Sequence, residues 1–198
     1  MDTKQSKKMK TTLLTIGLAL TIISCNNSKT EQKAADNTAE TAAKAENTAT
    51  NDQEGGKAIT PVLDAYLAVK NALVNDNQEE AAKAGGTLAT ALEGLDISQF
   101  DADKQTELQE IVEVAKNHGE HIAESEIGHQ REHFEALSQD IKDMTAIVGT
   151  DRALYYQYCP MYNDNKGGMW LSASEEIKNP LFGAKMMKCG KVQEVISL

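Results

Sequence analysis

The chain changes its pattern at Thr150, and this change constrains the fold more than any other feature of the sequence. Before Thr150, apolar residues recur at helical spacing in successive segments. After it, short aromatic or β-branched runs at 155–158, 169–171 and 191–196 stand between Gly and Pro residues, as short strands do. The sequence therefore predicts a mainly α fold: an antiparallel helical bundle over residues 57–150, with a small irregular or short-strand cap over 151–198 packed on it as part of one domain.

Capping residues predict where the helices begin and end. Thr60 precedes a proline, which is typical of an N-cap followed by Pro at the first helical position. Asn77, three residues before a glutamate, resembles a capping box. Asp101 or Asp103 can open a third helix. A fourth helix, or a continuation of the third past Gly119, extends as far as Gly149.

The first 24 residues are typical of a lipoprotein signal peptide. Four lysines precede an apolar run over residues 11–23, which is too short for a transmembrane helix. The run ends in Ile-Ile-Ser before Cys25, which resembles a lipobox whose cysteine carries the lipid. Asn26 follows rather than aspartate, so we expect no inner-membrane retention signal. The predicted location is the periplasmic face of the outer membrane.

Residues 25–56 predict a disordered tether. They are almost all Asn, Thr, Ala, Glu, Lys, Gln and Asp, and no large apolar side chain occurs among them. Such a segment cannot bury enough apolar surface to offset the entropy lost on ordering.

The exported chain is strongly acidic. Removal of the signal peptide leaves 16 basic against 29 acidic residues, a formal net charge of −13. This charge is unsuited to nucleic acid and to anionic lipid headgroups.

Sulfur ligands concentrate in the predicted cap. Met161 lies two residues after Cys159, and Met186 lies three residues before Cys189. Thiolate and thioether ligands favour Cu(I), and Ag(I) by the same logic. Export leads to an oxidising compartment, so a structural disulfide or a buried free pair are alternatives for the two cysteines.

All four histidines fall within sixteen residues, and they share one stripe if the helix is continuous. His129 and His133 are i,i+4 neighbours that could chelate one ion, and His118 and His121 are i,i+3 neighbours that could do likewise. On a single helix one ion cannot reach all four. The alternative is a polar, His-rich surface face. His133 lies nearest the apolar side of this helix, so we expect it to point toward the cap.

Two sets of motifs resemble one uncharacterised domain family of Bacteroidetes-type bacteria, over about residues 58–196. They are Tyr-Cys-Pro-Met at 158–161, Trp-Leu-Ser at 170–172, Asn-Pro-Leu-Phe-Gly at 179–183 and Cys-Gly at 189–190, together with His-Ile at 121–122 and His-Gln-Arg-Glu-His-Phe at 129–134. That family occurs alone on lipoproteins and fused to the periplasmic adaptor of copper and silver efflux pumps. The first motif is also similar to the Tyr-x-Cys-Pro-Met opening of small heavy-metal-binding modules, which continue with His-Pro where this chain has Tyr-Asn.

The resemblance implies that the last long helix and the cap meet in space. Cys159, Cys189, Met161 and His133 would then complete one site, with Met186, His129 and His121 as further candidate ligands. It also implies a lipid-anchored protein that buffers Cu(I) or Ag(I), or delivers it to a periplasmic efflux adaptor or another copper-receiving protein. The alternative is an interaction module with a Cys159–Cys189 disulfide and no metal. We expect no enzyme, because no nucleophile-elbow, phosphate-loop, Cys-x-x-Cys or His-Glu-x-x-His motif occurs.

Replacing Cys25 by Ser should release the protein from membranes, because the predicted lipid would be lost while the folded domain stays intact. Fractionation of cells that express each form measures this. A Cys25→Ser protein that still sediments with the outer membrane in high salt would contradict lipidation as the anchor.

Overall fold

The computed structural model describes residues 56–197. The predicted signal peptide and Cys25 lie outside them, as does all of the predicted tether except Gly56. Four long helices come first: α1 (Thr60–Val74), α2 (Gln78–Glu93), α3 (Ala102–Glu124) and α4 (Ile127–Val148). Three short strands follow: β1 (Leu154–Cys159), β2 (Gly168–Ser172) and β3 (Lys191–Ile196). The predicted mainly helical chain with a short-strand C-terminal cap is confirmed. Among residues 56–197, no helix has both the length and the apolar character needed to cross a membrane.

The helix boundaries follow local capping chemistry. Asn77 caps α2 as predicted, because its side-chain oxygen accepts from the backbone N–H of Glu80 at 3.1 Å. Asp101 is the residue before α3. The predicted N-cap of α1 was wrong by one residue: Ile59 is the cap, and the Thr60 hydroxyl instead donates to Asp151 at 2.7 Å. Thr60 therefore ties the start of α1 to the chain that follows α4.

Each helix packs against the next, and α2 and α3 approach closely where two glycines meet. A Cβ placed on Gly85 would lie 2.7 Å from the Cγ2 of Ile122 and 2.9 Å from the carbonyl oxygen of Gly119. Any larger residue at position 85 would therefore push the two helices apart. The close approach fixes the position of α3, which carries two of the four histidines.

The cap is a three-stranded antiparallel sheet in the order β2-β1-β3. Every residue of β2 is buried, whereas β3 forms a largely exposed edge. Trp170 of β2 is fully buried, and its indole N–H donates to the side chain of Gln157 at 2.7 Å. β2 therefore supplies the face through which the sheet packs on the helices.

Cys159 and Cys189 form a disulfide that closes the cap. Their Cα atoms are 5.6 Å apart, and 30 positions separate them in the sequence. The bond joins the end of β1 to the segment before β3. A crosslink over a loop of this length typically stabilises a fold by about 2–4 kcal/mol.

The hydroxyl of Tyr66 connects the helices to the sheet. Tyr66 lies on α1, is fully buried, and has its pKa raised by that burial. Its oxygen accepts from the backbone N–H of Leu171 in β2 at 2.9 Å and lies 2.7 Å from the Ser138 hydroxyl of α4. The Ser138 hydroxyl in turn donates to the carbonyl of Phe134 at 2.7 Å, so Tyr66 donates to Ser138. The Tyr66 side chain thus connects α1, α4 and β2.

A second connection forms around Arg131 of α4. Its guanidinium donates to the carbonyl of Pro180 at 2.9 Å, to the carbonyl of Leu73 at 3.1 Å, and to the carboxylate of Asp76. The other oxygen of Asp76 accepts from the backbone N–H of Ala184 at 2.9 Å. The predicted meeting of the last long helix with the cap is therefore present in the structure.

Replacing Tyr66 by Phe should lower the free energy of unfolding by about 1–3 kcal/mol, because the N–H of Leu171 loses its acceptor in a dry interior. Urea denaturation with the disulfide intact measures this. Tyr158→Phe is the matched control, since its hydroxyl makes an exposed 3.2 Å bond to the carbonyl of Lys166. Equal stabilities of the two variants would contradict the role of Tyr66.

Candidate metal centre

The four histidines meet because the chain reverses between α3 and α4. Ser125 and Glu126 have extended backbone angles, which end α3 and start α4. The single stripe on a continuous helix was therefore wrong: two histidines lie on each of two facing helices. Gly119 and Gly128 both lie inside helices, so neither glycine causes the reversal.

Two glutamines hold this reversal in place. Gln130 is fully buried and donates to the carbonyls of Ile122 at 3.0 Å and Gln78 at 3.1 Å. The side chain of Gln78 accepts from the N–H of Ile127, the first residue of α4, at 3.1 Å. These bonds satisfy backbone groups that helix ends leave unpaired. No local sequence pattern marks these two residues. The contacts between Gln78 and α4 join positions far apart in the sequence, and the contact of Gln130 with Ile122 crosses a turn that contains neither Gly nor Pro.

The imidazoles form a continuous chain of close contacts. The Nδ1 atoms of His118 and His133 lie 2.8 Å apart, and the Nε2 atoms of His133 and His129 lie 3.0 Å apart. The Nδ1 of His129 lies 2.8 Å from a carboxylate oxygen of Glu132. The ring of His121 stacks parallel on the ring of His133, with the centroids 4.4 Å apart. His133 is the centre of the cluster.

Three of these side chains could hold one metal ion. His121, His129 and His133 each offer a ligand atom, and these atoms lie within 4.8 Å of one another. Two nitrogens that share a tetrahedral zinc-sized ion at about 2.0–2.1 Å stand roughly 3.3–3.4 Å apart. The 3.0 Å between His129 and His133 is close to this value, so a small ring rotation would suffice for that pair. These three histidines, which the sequence predicted as candidate ligands, therefore come together, but they lie on two helices instead of one.

The prediction that His133 points toward the cap was wrong. Its ring contacts His118 and His121 of α3. The reason is the reversal at Ser125, which turns the side of α4 that carries His133 toward α3. A single site that joins His133 to the cap sulfurs stays a prediction.

The predicted sulfur ligands all lie in the cap, and two of them are joined as a disulfide. Cys159 and Cys189 are bonded to each other, so neither offers a thiolate in this form. Met161 is half exposed at a cavity of about 610 Å³, which Glu132 and Glu135 of α4 also line. Met186 is partly buried at the end of a short 3₁₀ helix. Metal binding by the reduced sulfurs stays a prediction.

Burial sets the protonation of two rings of the cluster. Burial first, and the charges of the neighbouring histidines second, lower the pKa of His133 to about 4. Burial also lowers the pKa of His118. Asp140 lies beside His118, with 3.8 Å between its Oδ2 and the Nε2 of His118, and burial raises its pKa to about 6. His118 and His133 are therefore neutral at pH 7, the form in which imidazole binds metal.

Comparison with known proteins gives one match, which covers residues 62–153. These residues match the family model DUF3347, which is described as a protein of unknown function. No curated protein and no solved structure matches the chain. The DUF3347 match agrees with the predicted resemblance to an uncharacterised domain family. It includes the four histidines and ends before the disulfide cap.

The stability of the metal-free protein should depend on pH through two opposing groups. The pKa of His133 falls from 6.5 to about 4 on folding, so the unfolded chain binds more protons between these values and stability rises with pH there. The pKa of Asp140 rises from 3.8 to about 6, so the folded chain binds more protons and stability falls over that range.

His133→Gln should therefore flatten or reverse the rise in stability between about pH 4 and 6.5, and Asp140→Asn should steepen it. Urea denaturation in the presence of a chelator, at intervals from pH 4 to 7, measures both slopes. Asp103→Asn, which removes an exposed carboxylate in the first turn of α3, is the control. Identical slopes in all four proteins would contradict the protonation states of His133 and Asp140.

Proposed function

We propose that this chain is a lipid-anchored periplasmic protein that binds copper at the histidine cluster and buffers it or delivers it to an efflux or assembly partner. The observation that carries the proposal is the triad of His121, His129 and His133, whose ligand atoms lie within 4.8 Å of one another. The helices that carry them are proposed to form an antiparallel bundle, which the packing of each helix on the next supports.

Copper is the preferred cargo on chemical grounds. Imidazole suits copper, zinc and nickel, and the affinity of a nitrogen site for divalent ions of the first row peaks at Cu²⁺. Cu(I), and Ag(I) as a related ion, are the forms that the thioethers of the cap would favour. Carboxylates alone would favour harder ions.

The openness of the site supports exchange over permanent storage. His121 is exposed, and the side chain of His129 is 49% exposed. Three protein ligands leave one position of a four-coordinate ion free, which is typical of sites that exchange a ligand. A partner could therefore approach the ion from solvent without opening the fold.

The location and the partner rest on the sequence. Cys25 follows an apolar run as in a lipobox, and the family that the chain resembles occurs on lipoproteins and on adaptors of copper and silver pumps. We therefore propose anchoring at the periplasmic face of the outer membrane and transfer to an efflux adaptor or another copper-receiving protein.

The cap contributes in one of two ways in this proposal. With Cys159 and Cys189 oxidised, it is a rigid, crosslinked support for α4. With both reduced, their thiolates and the nearby thioethers of Met161 and Met186 would offer a second, softer site for Cu(I) or Ag(I).

The alternative function is an interaction module without metal. The disulfide favours it, because this bond removes both thiolates from the sulfur set. In that case the histidines serve as a polar surface, and the protein recruits another envelope protein.

The oxidised protein should bind one equivalent of copper, and His129→Ala should weaken binding by more than about 100-fold, since loss of a ligand exceeds the 10–100-fold cost of losing an outer partner. Competition with a chromophoric copper chelator measures the affinity. Asn117→Ala, an exposed change on α3 next to His118 in the sequence, is the control.

The outcomes separate the candidates. Binding that survives Cys159→Ser with Cys189→Ser but is lost in His129→Ala supports the histidine site. Binding that appears only after reduction and disappears with the cysteines would move the site to the cap. An oxidised and a reduced protein that both fail to bind copper would leave the interaction module.

A further inference from the structure

One carboxylate oxygen beside the histidines is shielded from solvent and has no hydrogen-bond partner in the described part of the chain. This oxygen is the Oδ2 of Asp140. The nearest ring nitrogen is the Nε2 of His118, 3.8 Å away, which is beyond the 2.7–3.2 Å of an ordinary hydrogen bond. A buried carboxylate oxygen without a donor is costly, so the gap calls for a physical reason.

The proton positions of the neutral cluster provide this reason. The carboxylate of Glu132 can only accept, so His129 carries its proton on Nδ1 and has a lone pair on Nε2. His133 must then donate from Nε2 to His129 and accept on Nδ1. His118 in turn donates from Nδ1 to His133.

In this proton order, His118 presents a hydrogen-bond acceptor to Asp140 instead of a donor. With its proton on Nδ1, His118 presents a lone pair on Nε2. That lone pair faces the Oδ2 of Asp140, so no hydrogen bond can form between them. The 3.8 Å separation and the unpartnered oxygen are both consequences of the proton order in the metal-free cluster.

Metal binding requires the order to reverse. An ion held by the adjacent Nε2 atoms of His129 and His133 takes the lone pair of each. The Nε2 proton of His133 leaves to water, and the Nδ1 proton of His118 passes across 2.8 Å to the Nδ1 of His133. His118 then takes a proton from water on Nε2, so the number of protons on the two rings is unchanged. The new N–H of His118 points at Asp140.

We propose that His118 and Asp140 are positioning residues of the copper site, joined to the metal ligand His133 in a hydrogen-bond chain that closes only when the metal is bound. The inference rests on the proposed function. The carboxylate accepts from His118, which accepts from His133, and the Nε2 of His133 is thereby held toward the ion. The metal-free protein keeps Asp140 unpartnered and ready for this bond.

The proton order can be read directly by long-range ¹H–¹⁵N NMR, which distinguishes Nδ1–H from Nε2–H imidazoles. The metal-free protein should show Nδ1–H on His118 and Nε2–H on His133. After addition of one equivalent of Cu(I), kept reduced by ascorbate, both assignments should exchange. A His118 that keeps its Nδ1 proton after loading, or that itself shows metal coordination, would overturn the proposal.

Measurements of copper affinity provide a second test of the same proposal. Asp140→Leu should weaken copper binding by about 10–100-fold, the range found for outer partners of metal-binding histidines. Asp140→Asn should lose less, because its amide oxygen still accepts from His118. The control is Asp143→Asn, which removes the same charge one turn away from an exposed position, where it accepts from Gln139 at 2.8 Å. Circular dichroism confirms that each variant is folded.

The two proposals fail in different ways. A wild-type protein that binds no copper would overturn the proposed function itself. Copper binding in which Asp140→Leu and Asp143→Asn behave alike would overturn only the role of Asp140 and His118.

Discussion

The structure depends on one buried hydroxyl at the meeting point of three elements. Tyr66 of α1 accepts from the backbone of β2 and donates to Ser138 of α4, in a region from which water is excluded. A strand that is buried along its whole length cannot leave its N–H groups unpaired. The tyrosine therefore decides where the sheet lies against the helices, and apolar packing by residues such as Trp170 fills the space around this point.

The order of the elements could be predicted from the sequence because it follows from local chemistry. Apolar spacing located the helices, Asn77 located the start of α2, and the runs around Tyr156 and Trp170 located strands. The connections between helices and cap could not be predicted. They depend on Tyr66 and Arg131, whose partners lie far away in the sequence. A buried tyrosine or an exposed arginine is common in any protein, so the residue type alone does not indicate these partners.

The candidate site was predicted in its members but not in its geometry. The histidines stood out by their spacing, and His129 and His133 are i,i+4 neighbours as expected. The turn at Ser125 contains neither Gly nor Pro, and the helical spacing runs across it without interruption. The sequence therefore indicated one helix face carrying all four histidines, whereas the structure has two facing helices with two histidines each. Asp140 gave no signal, because one carboxylate among many on an acidic helix is distinctive only through its burial.

The reversal between α3 and α4 makes the histidine cluster a local unit. Its most distant ring contact joins positions only 15 apart, whereas Tyr66 and Leu171 are separated by 105. Contacts of short range close with little loss of chain entropy and form early in folding. The ligands thus all lie on a single helical hairpin, which evolution or design could transplant to another scaffold that supplies a substitute for Gln78 of α2.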